Sequence, residues 1–187
     1  MNLPTNSLIA IDVETSGPDP FRHELTALAL VPLDERKPAL EVFVRHASVE
    51  WTKVAEEYFL GYRNDWETLA VGPKEAYERV RAYCDEHLVK DSLLVGHNIG
   101  FDHCFLKKLI AQADGEPFPN LSHRVVDTHS LLRLLAWHEQ IPVEACTSSG
   151  AFQHFGIEVP GDARHTARGD AVATAELLRR IFAATNG

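Results

Sequence analysis

The stretch Leu8-Ile9-Ala10-Ile11-Asp12-Val13-Glu14 constrains this chain more than any other, because it is an apolar run that ends in two acids. On a β-strand, alternation puts Ile9, Ile11 and Val13 on one face and Leu8, Ala10, Asp12 and Glu14 on the other, so both carboxylates leave the sheet together. At a rise of about 3.3 Å per residue their Cα atoms lie roughly 6.6 Å apart, close enough for both side chains to serve one cation or an adjacent pair. Two like charges so close repel each other if nothing sits between them. An acid pair that merely ends a strand before the turn Gly17-Pro18-Asp19-Pro20 fits these residues equally well. The rest of the chain has to decide.

Downstream, Glu24 to Val31 and Leu40 to His46 read as two further strands, joined by short turns rich in Pro and Gly that imply antiparallel neighbours. Between Glu50 and Ala70 the pattern is mixed and partly helical. Its aromatics, Trp51, Tyr58, Phe59, Tyr62 and Trp66, could stack on bases, but at helical spacing they read first as core. Gly72-Pro73 opens a helix to Leu88 with Ala76, Val80, Tyr83, Cys84 and His87 on one face. Leu93-Leu94-Val95 is a short unbroken apolar run, the pattern of a central strand covered on both faces. The chain then passes through His97 and Asn98 into a helix with Phe105, Leu106, Leu109 and Ile110 inward, which places Asp102 in its first turn. By itself Asp102 is explained as an acid at a helix N-terminus, and His97 and Asn98 as turn residues bonding backbone.

Arg124-Val125-Val126-Asp127 reads as a fifth strand, with Asp127 or Thr128 capping the helix that carries Leu131, Leu132, Leu134 and Leu135. Asp127 is therefore read as structural. Ser148 to Phe155 is a short helix with Phe152 and Phe155 inward. In the last helix, Thr166 as N-cap puts Asp170 one turn inside, on the stripe it shares with Thr174, Leu177 and Ile181. An acid on a core-facing stripe needs a partner, and His165 in the preceding loop overhangs the same place.

Composition bounds the rest. A chain of 187 residues, 45% hydrophobic and 24% charged, is long enough for one substantial core and short for two, so residues 1–187 are expected to form one domain. The start, Met1 to Asn6, has no basic region or long apolar segment, so neither export nor membrane insertion is expected, and the cytoplasm is the expected location. Cys84, Cys104 and Cys146 are odd in number and far apart, which argues against a disulfide framework and a cysteine zinc site and reads as buried small hydrophobes. A formal charge of -9 disfavours a protein that grips long nucleic acid through a broad basic surface. Short anionic substrates remain open, because acids gathered around cations are charged only on paper.

Three segments, Asp12-Val13-Glu14-Thr15-Ser16-Gly17, His97-Asn98-Ile99-Gly100-Phe101-Asp102, and His165 followed five residues later by Asp170, resemble the three motifs of the DEDDh group of 3'-5' exonucleases. That group includes the proofreading subunit of bacterial replicative polymerase, ribonuclease T and oligoribonuclease. Asp127-Thr128 also resembles a pair common in it. The resemblance implies an α/β, ribonuclease-H-like fold: a mixed five-stranded sheet, its first three strands antiparallel, with helices on both faces. It implies phosphodiester hydrolysis with two divalent cations, Mg2+ or Mn2+, held by Asp12, Glu14, Asp102 and Asp170. Hard oxygen ligands suit those ions, and cations about 3.5 to 4 Å apart can hold both the attacking and the leaving oxygen. Four carboxylates would balance two divalent cations. His165 has the pKa range to take a proton from the attacking water. By the same resemblance Thr15 and the backbone near Gly17 bind the terminal nucleotide, and Phe21 stacks on it. The implied partner is single-stranded nucleic acid with a free 3' end, short RNA or DNA or a 3' overhang, with no membrane; a homodimer is compatible with this. A catalytically silent binding module of the same fold is the alternative, although such a module is expected to have lost one of the five groups. A zinc hydrolase is disfavoured, since no H-x-x-x-H or H-E-x-x-H pair occurs.

Overall fold

The computed structural model describes residues 3–185, so Met1 and Asn2 of the chain's start lie outside the described residues. Its elements follow in the order β1 (Leu8–Thr15), β2 (Leu25–Pro32), β3 (Leu40–Phe43), α1 (Lys53–Leu69), α2 (Pro73–His87), β4 (Ser92–Gly96), α3 (Gly100–Gln112), β5 (Leu121–Asp127), α4 (Thr128–Trp137), α5 (Ser148–Phe155) and α6 (Ala167–Ala184). All five strands belong to one sheet of order β3-β2-β1-β4-β5. β1 pairs antiparallel with β2, as β2 does with β3, while β4 joins β1 parallel and β5 joins β4 parallel. This is the mixed, ribonuclease-H-like sheet that the resemblance implies, with β1 at its centre.

Alternation along β1 sorts the two layers. Ile9, Ile11 and Val13 face α2 and α3, in a core with Tyr77, Val80, Cys84, Phe105 and Leu109. Leu8 and Ala10 face the other way, toward Ala175 and Leu178 of α6. On that side β2 presents Ala27 and Ala29, and α6 answers with Ala167 and Ala171. Small residues on both partners let the helix axis lie close to the strands, since interaxial distance follows the side chains at the contact. α6 therefore rests directly on β1 and β2, on the face from which Asp12 and Glu14 project. A second cluster, Leu132, Phe152, Leu177 and Ile181, ties α4 and α5 to the outer flank of α6.

Three expectations need correction. β3 ends at Phe43, not His46, because beyond it the chain turns its hydrogen bonds to Val71, which donates to Phe43 O at 3.0 Å and accepts from Arg45 N at 2.8 Å. β5 begins earlier, at Leu121. Cys104 is exposed, on the outer face of α3, whereas Cys84 and Cys146 are buried. The aromatics of the segment from Glu50 to Ala70 pack largely as core: Tyr62 is buried, Phe59 and Trp66 pack against it, and Trp51, just before α1, lies against Phe59 with centroids 4.7 Å apart. Tyr58 does not join them. No helix of the described residues is long and apolar enough to cross a membrane.

Candidate active site

Asp12 and Glu14 leave β1 on the side covered by α6, and the first turn of that helix delivers Asp170 to them. Thr166 caps the helix, its Oγ1 accepting from Gly169 N at 3.1 Å and donating to Ala163 O at 2.7 Å. One oxygen from each of Asp12, Glu14 and Asp170 lies within 4.8 Å of the others. Asp102 arrives from the opposite layer, in the first turn of α3. Its Oδ1 accepts a hydrogen bond from Val13 N at 3.1 Å, between the two strand acids, so α3 is fastened to β1 at the point where the carboxylates emerge. Its oxygens are not part of the tight trio, but its charge reaches Asp12. His165 sits in the loop before α6 with φ of 60°, in the left-handed region.

The cluster is electrostatically unfavourable when all its acids are ionised. Burial, then the charges of Asp102, Glu14 and Asp170, hold the Asp12 carboxyl well above its usual range. Burial, then Asp170, pushes Glu14 up to about 8, with Arg164 opposing. Burial also raises Asp102 and Asp170. The guanidinium that opposes these charges among the described residues is Arg164, which pairs with Asp170 Oδ2, donates to Ser148 and Ser149 Oγ at 3.3 Å, and lies 5.4 Å from the Phe152 ring centroid. One guanidinium does not balance four acids. Asp170 Oδ1 is buried with no hydrogen-bond partner among the described residues. A buried unpaired carboxylate oxygen is costly unless a cation completes it. The donor set therefore fits divalent cations.

The cluster floors a cleft of about 600 Å³, whose walls include Thr15, Gly17, Tyr58, His97 and His165. A larger groove, about 710 Å³, is lined by Glu41, Asp65, Arg168 and Arg179, but it contains none of the clustered acids, and the smaller cleft is where chemistry can occur. Thr15 Oγ1 donates to Gly17 O at 2.9 Å. A Cβ on Gly17 would collide with the His23 ring, so the close turn after β1 requires glycine there. Phe21 does not line the cleft and is 93% exposed. The turn accompanies this: Asp19 Oδ1 accepts from Phe21 N at 2.9 Å and His23 Nδ1 accepts from Asp19 N at 3.0 Å, closing residues 19–23 into a tight turn that leaves Phe21 in solvent. Asp127 caps α4, as its structural reading expects, and its side chain also accepts from Asn98 N at 2.8 Å.

Two residues of the cleft escaped the sequence reading. Tyr58 is stacked on His165, and the available signal was periodic: Phe59, Tyr62 and Trp66 follow one helical stripe, which leaves Tyr58 off it, aligned with Val54 on the cleft side. Arg164 carries no motif that singles it out. Its place, six residues before a core-facing acid, was the hint.

Sheet and site together define a class, the exonucleases: the RNase T family model, described as exonuclease, matches residues 9–178. Within that class the chain belongs to the DEDDh 3'-5' exonuclease family. Ribonuclease T of Marinobacter nauticus is 29% identical over 182 residues, covering 91% of this chain and 79% of that protein. Ribonuclease T of Wigglesworthia glossinidia brevipalpis is 26% identical over 190 residues, covering 92% of this chain and 83% of that protein. Exonuclease I of E. coli, solved in complex with a dT13 oligonucleotide, superposes with a TM-score of 0.78 at 13% identity, over 96% of this chain and 41% of that one. This chain thus spans about two fifths of the length of that solved relative.

Proposed function

We propose that the protein, acting as a single domain, hydrolyses single-stranded nucleic acid from a free 3' end, short RNA or DNA or a 3' overhang, and releases nucleoside monophosphates. The observation that carries this is the convergence of Asp12, Glu14 and Asp170 oxygens within 4.8 Å, beside an open cleft with His165 on its wall. Asp12, Glu14, Asp102 and Asp170 would hold two divalent cations, Mg2+ or Mn2+. Such cations, when bound, polarise the phosphate and stabilise charge on the attacking and leaving oxygens. His165 takes the proton of the attacking water at a ring nitrogen; burial, with Arg164 beside it, holds its pKa below the ordinary value, which keeps the imidazole neutral and able to accept. The bond broken joins phosphorus to the 3' oxygen of the preceding nucleotide, which stays with the shortened strand. Thr15 and the backbone at Gly17, on the cleft wall next to the acids, would bind the terminal nucleotide. A relative of the same fold carrying a single-stranded oligonucleotide supports the substrate class.

The test is a pair of single-stranded oligonucleotides, RNA and DNA, labelled at either end. With Mg2+, the 3' label is expected to appear at once as a mononucleotide, and the 5' label in a ladder of shortening strands. EDTA abolishes both. Internal cleavage, or binding without any Mg2+-dependent hydrolysis, would overturn the assignment, the latter in favour of a silent binding module.

A further inference from the structure

A histidine that accepts a proton is ordinarily held in place by a hydrogen bond from its second ring nitrogen to a carboxylate or carbonyl. His165 has no such support. Among the described residues no hydrogen bond reaches either of its ring nitrogens, and its backbone sits at φ of 60° in a loop, a conformation few non-glycine residues adopt. What meets the imidazole is Tyr58: the two rings are stacked, with centroids 4.0 Å apart and planes within 9°. We propose that Tyr58 of α1 is a positioning residue for the reaction, holding the His165 ring by stacking where a hydrogen-bonded partner would usually orient it. This rests on the reading of His165 as the proton acceptor.

The construction of α1 supports the assignment. One face of the helix is locked: Tyr62 shares a 2.8 Å hydrogen bond with Thr26 Oγ1 of β2, Trp66 Nε1 donates to Val44 O at 2.9 Å, and Phe59 packs edge-on against both rings with centroids 5.3 Å away. Its N-terminus is tied to the end of β1, where Thr52 N donates to Ser16 O at 2.9 Å. The helix is thus anchored to the strands around the acids, and Tyr58 projects from it toward α6's leading loop. Stacking fixes the plane of the imidazole and leaves both nitrogens free, one for the water and one for solvent. The Tyr58 hydroxyl makes no hydrogen bond among the described residues, so the aromatic face is the working part.

The experiment uses the whole protein and two variants, Tyr58→Leu and Tyr58→Phe. In NMR spectra, the ring protons of His165, assigned by their loss in His165→Ala, are expected upfield through the ring current of Tyr58. They should move to ordinary positions in Tyr58→Leu and stay shifted in Tyr58→Phe. On a single-stranded oligonucleotide with Mg2+, the single-turnover rate at saturation should fall roughly 3- to 100-fold in Tyr58→Leu, between the loss of one stacking contact and a misplaced reacting group. Half-saturation should change less than about twofold, and Tyr58→Phe should restore the rate. Persistence of the His165 shift in Tyr58→Leu, or a defect confined to half-saturation, would overturn the proposal; the latter would make Tyr58 a substrate contact. Failure of the functional reading shows separately, as wild-type protein without hydrolysis, and the NMR comparison still decides whether Tyr58 holds the ring.

Discussion

Asp170 and His165 are five residues apart and face one cleft, yet the chemistry assigns them different work. Asp170 brings to the acid cluster a buried oxygen that has no hydrogen-bond partner among the described residues. Asp170→Ala is therefore expected to lose both hydrolysis and the rise in melting temperature that Mn2+ confers on a protein binding it only when folded. His165→Ala should keep that rise while its rate falls by about 10^2 to 10^4, the range for a general base. Thermal melts with and without Mn2+, beside turnover, separate them; equal metal-induced stabilisation in Asp170→Ala and wild type would remove Asp170 from the ligand set. Glu14 makes a second prediction. Its folded-state pKa of about 8 lies above the ordinary 4.5, so the folded form binds the proton more tightly than the unfolded chain. That contribution to stability is complete below about pH 4.5 and lost as the pH rises through 8. Asp12, Asp102 and Asp170 act in the same sense, whereas His97, His103 and His165, all held low, act in the opposite one. In EDTA, Glu14→Gln should therefore lose less melting temperature than wild type between pH 5 and 8, and saturating Mg2+ should narrow the gap. Parallel curves in EDTA would contradict the raised pKa.

Among the elements, α6 carries the most responsibility, because its first turn aims Asp170. The Thr166 cap holds that turn, and a Cβ on Gly169 would strike Ala163 O, so loop and helix meet too closely for any larger residue there. Thr166→Ala should destabilise the protein by about 1 kcal/mol, or roughly 2 to 4 °C in melting temperature for a chain of this size. Thr166→Ser should recover most of it; an unchanged melting temperature in the alanine variant would show the cap idle. The same elements show what local pattern can disclose. The apolar run ending at Glu14, the cap-and-stripe pattern of α6 and the first turn of α3 are all short-range signals, and they put four acids at strand and helix ends before any pairing was known. Strand order is different in kind: that β4 enters parallel beside β1 is settled by a crossover through α1 and α2, which no periodicity within β1 or β4 records. The bond from Val13 N to Asp102 and the stack of Tyr58 on His165 are likewise contacts between distant segments. That Phe21 stands off the cleft was hidden for the converse reason, since an aromatic in a turn signals exposure but not direction.

At the scale of the molecule, a formal charge of -9 sets how a polyanion can be held. Several cations are already committed to acids: Arg22 to Glu50, Lys108 to Glu24 at 3.0 Å, and Arg164, on the cleft wall, to Asp170. Few phosphates can be neutralised at once. The logarithm of affinity for a single strand, measured by anisotropy with the His165→Ala protein in Mg2+, should fall against the logarithm of salt with a slope of magnitude about 1.4 to 2.1, two or three phosphates at roughly 0.7 each. A steep slope with tight binding to long duplex would contradict this. The placement of the acids has a further consequence. Asp12 and Glu14 stand near the beginning of the chain, Asp102 in the layer beneath the sheet, and Asp170 in the last helix above it. Whatever is gripped jointly by these groups is a removable cross-link between the two layers, and lifting α6 off the strands and letting the ligand go become one event. Amide exchange along α6, as far as Ile181, should slow when Mn2+ is present, and without it the last helix should open as a unit while β1 and β2 stay closed.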